Sequence, residues 1–344
     1  MIKKGFASDN NSGAQPQILA AMIEANQGHA TGYGDDEYTR RVTELFKEHF
    51  GDDVDVNIVF NGTASNVLGI MAAGRSYNSV ICTDTAHINV DECGAPEKVA
   101  GTKVIGVPHE NGKLLPERVM PHLHGFGFEH HSQPGILSIS QVTELGTVYT
   151  PDEVRALADL AHSHGMMLHM DGARIANAAA SLNLPFRKFT RDCGVDVLSF
   201  GGTKNGMIMG EALLFFRKEF SQGFKYLRKQ HMQLFSKMRF VSAQFNAYFK
   251  DNLWLTSAMH SNKMARLLEN KLEDIDQVQI TRPVEANGVF AIIPEHWIAP
   301  LQNKYFFYMW DEAVNEVRWM CSFDTTVDDI ELFVAEIRKL AQNG

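Results

Sequence analysis

Cysteine is scarce in this chain of 344 residues, and its four, Cys82, Cys93, Cys193 and Cys321, lie far apart with no CxxC pair. That excludes a disulfide-built scaffold and leaves reduced thiols in or near a core. Apolar runs of membrane-spanning length are missing, and the opening MIKKGFASDNNSG turns polar before any signal-peptide core. A soluble, cytoplasmic protein with no membrane partner is expected. Long basic runs are missing too, in a chain whose formal net charge is −9, so no nucleic acid is expected as a partner. One stretch is rich in histidine, PHLHGFGFEHH with His122, His124, His130 and His131. Glycines break it, so it offers no framework to fix a metal's geometry, and a solvated loop with no metal is expected.

What is present is a hydrophobic content of 44%, enough for one large and one small domain. The pattern centres on Val195 to Gly206, VDVLSFGGTKNG. An apolar run reads as a buried strand, two glycines stop it, and Lys204 follows. A lysine at a strand exit among small residues sits in a cleft. Desolvation there lowers its pKa and makes it a nucleophile able to form a Schiff base with an aldehyde. A second apolar strand, Met166 to Met170, delivers Asp171, 33 residues before Lys204. That spacing allows a crossover between neighbouring strands and brings both side chains to one crevice at the sheet's carboxyl edge. A lysine and a carboxylate in one pocket match the needs of pyridoxal phosphate, an aldehyde to be held as an imine and a pyridine nitrogen to be kept protonated. A surface lysine in a glycine turn and a helix-capping aspartate are the plainer readings of the same residues.

Further strands are predicted at Val56 to Phe60, Ser79 to Thr83, Thr102 to Val107, Gly135 to Gln141 and Ala212 to Phe216. Their alternation with helices, among them Gln15 to Ala25 and Pro151 to His164, predicts an α/β fold with a mostly parallel, doubly wound sheet. After Val56 to Phe60 comes Asn61-Gly62-Thr63-Ala64-Ser65-Asn66, a glycine turn ahead of a helix over Val67 to Ala73. A turn of this kind directs backbone N–H groups at an anion and makes a phosphate cup, with Thr63 and Ser65 adding hydroxyls. His87, just past a strand end, is placed to lie on a pyridine ring and exchange a proton. Asp35 or Asp36 caps the helix that follows GHATGYG. Lys218 to Lys250 reads as one long helical region with Lys225, Arg228, Lys229, Lys237 and Arg239 on it. From Leu253 the pattern becomes that of a small α+β unit: a helix to Leu272, strands near Val278 to Thr281, Val289 to Ile293 and Glu316 to Phe323, and a last helix from Val327. Arg318 lies in the third of these strands, where it can hold a carboxylate. The expected division is a segment 1–14 that crosses the cleft, a large cofactor-binding domain 15–252 and a small C-terminal domain 253–344.

With these residues in place the chain resembles the low-specificity L-threonine aldolases among the pyridoxal-phosphate enzymes of fold type I. The resemblance is carried in order by ASDNNSG, GYGDDEYT, FNGTASN, TAHINVDECGAPE, LHMDGARIANA, SFGGTKNG, SKMR and VRWMCSFDTT. It implies Lys204 as the Schiff-base lysine, Asp171 as partner of the pyridine nitrogen, His87 on the ring, and Gly62 and Thr63 on the phosphate. Ser8, Arg174 and Arg318 would grip the carboxylate of a small β-hydroxy amino acid, with Arg174 also near the cofactor's phenolic oxygen. It further implies a homotetramer of tight dimers in which Arg239 and Lys229 reach the neighbouring subunit's phosphate. Where some members carry a histidine this chain has Glu144, so the base for the β-hydroxyl stays open among His87, Glu144 and Asp91 acting through water. The implied reaction is cleavage of L-threonine or L-allo-threonine to glycine and acetaldehyde. Another lyase of the same fold, β-eliminating or serine hydroxymethyltransferase-like, and a non-catalytic pyridoxal-phosphate sensor remain alternatives.

Overall fold

In the computed structural model, which describes residues 4–343, the chain folds around a seven-stranded sheet. Its strands are β1 (Asp55–Val59), β2 (Asn78–Thr83), β3 (Lys103–Val107), β4 (Gln133–Ser140), β5 (Met167–Gly172), β6 (Val197–Gly201) and β7 (Glu211–Phe215). They lie in the order β1-β7-β6-β5-β4-β2-β3. Pairing from β3 through β6 is parallel, and β7 alone runs antiparallel to both its neighbours. Helices cover both faces, so β5, β6 and β7 are buried along their whole length. That is why the sequence shows them as continuous apolar runs and not as alternating ones.

A smaller antiparallel sheet, order β10-β11-β9-β8, is built from β8 (Gln279–Ile280), β9 (Gly288–Ile292), β10 (Tyr308–Asp311) and β11 (Glu316–Met320). Its core gathers Trp297, Phe307, Trp319 and Phe333, and Phe6 joins it from the N-terminal segment. The Phe6 ring stacks on Phe333 at 4.5 Å, and its backbone bonds Phe306 and Met320. The Leu253–Leu272 helix serves both units, with Trp254 and Ala258 in the large core and Met264, Ala265 and Leu268 in the small one. No helix among the described residues is long and apolar enough to cross a membrane.

Three expectations need correction. The region Lys218 to Lys250 is not one helix but three, Lys218–Ser221, Phe224–Gln230 and Arg239–Phe249, because Gly223 and Met232 both take positive φ. The helix expected from Val67 begins at Gly62, where the Asn61 side chain accepts from the Ala64 N–H; the turn is therefore the first turn of the helix itself. Strand β10 and the Glu295–Gln302 helix were not anticipated. Of the two possible caps, Asp36 is the one that accepts from Thr39. His124, His130 and His131 lie exposed in the loop after residue 122, in ring contact with one another or with Phe128.

Glycines let the exits of β5 and β6 approach closely. A Cβ on Gly201 would stand 2.6 Å from the backbone of Ala173, and one on Gly172 would stand 2.7 Å from the Ser199 carbonyl. Backbone cannot yield as a flexible side chain does. Gly201→Ala is therefore expected to lower the free energy of unfolding by about 2 kcal/mol, read from a denaturant titration; an unchanged midpoint would show that the strand ends separate freely.

Candidate active site

The exits of β1, β5 and β6 open onto one cavity of about 360 Å³, whose lining includes Asn61, Gly62, Thr63, His87, Asp171 and Lys204. β5 and β6 are parallel neighbours with Asp171 opposite Ser199, and the chain leaves β6 through Gly202 into a single turn, Thr203–Asn205, that carries Lys204. This is the convergence that the 33-residue spacing predicts.

Asp171 is buried and accepts from the Asn66 amide at 2.7 Å and the Ala173 N–H at 2.9 Å. Burial pushes its carboxyl up, but His87, Lys204 and these two bonds outweigh it and leave the pKa below the ordinary value. Asp171 is thus a fixed negative charge. The Arg174 guanidinium, and after it burial, holds the Lys204 amine below the usual lysine range. Lys204 has no hydrogen-bond or ion-pair partner among the described residues.

His87 opens a short helix after β2, and its Nδ1 lies 3.0 Å from Glu92 Oε1. This bond raises the imidazole's pKa against the opposing pull of burial. The same Glu92 oxygen accepts from Asn66 at 3.0 Å, so a chain His87–Glu92–Asn66–Asp171 runs along one wall. Neither Glu92 nor Asn66 was singled out in the sequence. Asp91, a candidate base in the sequence, is exposed and outside the cavity lining; its neighbour Glu92, in the bend after the short helix, is buried and lines the cavity. Glu144 is half-buried and also outside the lining. Its Oε1 accepts from the His87 N–H at 2.8 Å and from the Ser140 hydroxyl at 2.5 Å. Burial raises its pKa. Glu144 therefore anchors the first residue of the His87 helix.

Arg174 makes a two-pronged bond to Asp9, Nε to Oδ2 at 2.6 Å and Nη2 to Oδ1 at 2.9 Å, and Asn287 donates to Asp9 as well. Asp9, a residue the sequence reading passed over, thereby draws the N-terminal segment into the site. Arg318 donates to the Ala7 carbonyl, lies 5.1 Å from the Trp310 ring centre and keeps a buried Nε without a partner. Burial, and then the nearby Arg174, pushes its guanidinium down to about 10. Neither Arg174 nor Arg318 is part of the cavity lining itself, but two cations held beside it leave a position suited to a carboxylate. Ser8 is less direct: its oxygen accepts from the Asn10 N–H, and the residue lines a neighbouring pocket. Ser65, expected to offer a hydroxyl to the phosphate, is fully buried outside the lining. Arg239 and Lys229 also lie outside it. Arg239 donates to the Gly28 carbonyl, and Lys229 is exposed over the Tyr33 ring.

A family model described as beta-eliminating lyase matches residues 5–296. A low specificity L-threonine aldolase from Pseudomonas aeruginosa is 43% identical over 334 residues, covering 97% of this chain and 96% of that relative. The chain belongs to the low specificity L-threonine aldolase family. A solved threonine aldolase from Leishmania major superposes with a TM-score of 0.93 at 31% identity, over 98% of this chain and 99% of that one. N-succinyldiaminopimelate aminotransferase from Mycobacterium tuberculosis shares the fold alone, with a TM-score of 0.70 at 15% identity over 98% and 92%.

Because a carboxylate hydrogen-bonded to an imidazole favours its charged form, Glu92→Gln is expected to lower the His87 titration midpoint. Imidazole resonances followed against pH would show it; an unmoved midpoint would mean that the pair does not form.

Proposed function

We propose that this aldolase-family chain binds pyridoxal phosphate in the cavity at the exits of β1, β5 and β6 and cleaves L-threonine and L-allo-threonine to glycine and acetaldehyde. The observation that carries the reading is the pairing of a partnerless, charge-depressed Lys204 with a permanently ionised Asp171 in one cavity. The phosphate end fits as well. The N–H groups of Gly62 and Thr63, in the first turn of their helix, have no intrahelical acceptor, and a Cβ built on Gly62 would meet nothing within 4 Å. An anion has room to approach this backbone.

Pyridoxal phosphate, when bound, supplies the electron sink for the charge left on the α-carbon as the Cα–Cβ bond opens. The residues of the chain do the rest. Lys204 offers Nζ as a free base to the aldehyde and later carries the proton it gains. Asp171 keeps the pyridine nitrogen protonated. Arg318 and the part of Arg174 not bound to Asp9 would hold the substrate carboxylate and so fix the rotation about the Cα–N bond that selects which bond at Cα opens. His87, oriented by Glu92 at Nδ1, takes the β-hydroxyl proton; it lines the cavity, and Asp91 and Glu144 do not. The proposed division is 15–252 and 253–344 with the N-terminal segment 1–14 at the cleft, residues 1–3 and 344 lying outside the described residues. Arg239 and Lys229, which lie outside this cavity, are assigned to the phosphate of a neighbouring subunit in a homotetramer of tight dimers. Nothing in the substrate or cofactor calls for a compartment other than the cytoplasm.

Incubation with L-threonine, L-allo-threonine and L-serine in turn tests the reaction. Glycine and acetaldehyde from the first two are expected; pyruvate from serine without glycine from threonine would make the chain a β-eliminating enzyme instead. Lys204→Ala should stay folded yet lose the absorbance of the bound aldehyde together with all but a trace of turnover. Arg318→Ala removes a charge-assisted bond to the substrate carboxylate, for which about 2 kcal/mol is a fair measure, so KM should rise roughly thirtyfold while cofactor loading holds. Loss of loading in that variant would place Arg318 on the cofactor and not on the substrate.

A further inference from the structure

Glu211 is a buried acid that the mechanism leaves unused. It is the first residue of β7 and stands in register with Val59 of β1 on one side and Gly201 of β6 on the other. One neighbouring strand leads into Asn61-Gly62-Thr63 and the other into the Lys204 turn, so Glu211 occupies the point between the phosphate end and the lysine end of the cavity that it lines. Its carboxylate accepts from the Gly202 N–H at 3.1 Å and from the Thr203 hydroxyl at 2.9 Å. No cation lies within ion-pair distance of it among the described residues.

The charged groups that bear on it are few. Lys204, from its turn, favours the carboxylate, and Asp171, from β5, opposes it. Tyr248, from the Arg239–Phe249 helix, is neutral, its pKa raised well above the ordinary tyrosine value by burial. His169 of β5 is neutral too, pushed down to about 4 by burial. The Gly62–Ala73 helix packed on β7 contains no ionisable side chain, and Lys218–Ser221 meets the strand's far end. Burial has already raised Glu211 to about 7, so in the free protein near neutrality it is shared between its two forms. A phosphate dianion in the same cavity adds like charge at low dielectric, and the two cannot both stay fully ionised.

We propose that Glu211 takes up a proton from solvent when a phosphate group settles at Gly62 and Thr63, so that cofactor loading is proton-linked and weakens as the pH rises. The inference rests on the pyridoxal phosphate reading of the cavity. The sign follows from linkage: a group that is protonated in the complex and ionised in the free protein must recover a proton on binding, and each further pH unit makes that harder. With the proton on Oε1, Glu211 still accepts from the Gly202 N–H at Oε2 and can donate to a turned Thr203 hydroxyl, so the Lys204 turn holds its place.

The test is the dissociation constant of pyridoxal phosphate for the cofactor-stripped full chain, measured by fluorescence quenching from pH 7 to 8.5 in wild type and in Glu211→Gln. The ratio of wild-type to variant constants is expected to rise roughly tenfold across that range. With pyridoxal, which has the aldehyde but no phosphate, the ratio should rise far less; Glu211 also bears on Lys204, and comparing the two ligands removes that contribution because both need the same amine. Parallel slopes for wild type and variant, or the same rise with pyridoxal, would overturn the inference while leaving the cofactor reading intact. Failure of wild type to bind pyridoxal phosphate at all would overturn both. Should Glu211→Gln not fold, calorimetry of wild type at pH 8 in buffers of different ionisation enthalpy decides: close to one proton more taken up with pyridoxal phosphate than with pyridoxal supports the proposal, and equal uptake refutes it.

Discussion

The structure depends on holding a carboxylate and an amine together at the exits of two adjacent parallel strands. Asp171 at the end of β5 and Lys204 just past β6 lie in a medium where either charge alone would be costly, and each is held in a defined state by what surrounds it. Hydrogen bonds from Asn66 and Ala173 keep the aspartate ionised, and the Arg174 charge drives the lysine toward its neutral form. The sheet supplies the rigidity that this arrangement needs. Gly172 and Gly201 admit a backbone approach that no side chain would permit, and the antiparallel β7 brings a third acid, Glu211, against the same two strand ends.

Around that pair the site is assembled from parts that are remote in the chain. Asp9 is gripped by Arg174 and bonded by Asn287, which joins the N-terminal segment, the large sheet and the small unit at one buried carboxylate. Arg318 is tied to the Ala7 carbonyl and packed on Trp310. The two guanidiniums thus come from different units, Arg174 from just past β5 and Arg318 from β11, and both contact the N-terminal segment.

Much of this was legible in the sequence because strands buried on both faces are continuous apolar runs, and all seven strands of the large sheet fall where such runs end in glycine or a polar turn. Lys204, Asp171 and His87 were found because each stands at a strand exit. Other residues carry no such marker. Asp9 meets Arg174 across 165 positions and Asn66 meets Asp171 across 105, contacts that belong to the tertiary fold. Asp91 and Glu92 are adjacent acids just past the short helix at His87, and the turn of the chain there decides which one faces inward. The break after Lys218 did have a signal, Gly223, which takes a positive φ that a helix interior does not accommodate. Strand β10 is half exposed on the edge of a small sheet, where the apolar pattern is weakest.

Borohydride reduction of the chain loaded with pyridoxal phosphate, followed by digestion and mass mapping of the modified peptide, tests the central claim most directly. The account predicts one stably modified residue, Lys204. Labelling of another lysine, with Lys204 recovered unmodified, would contradict it.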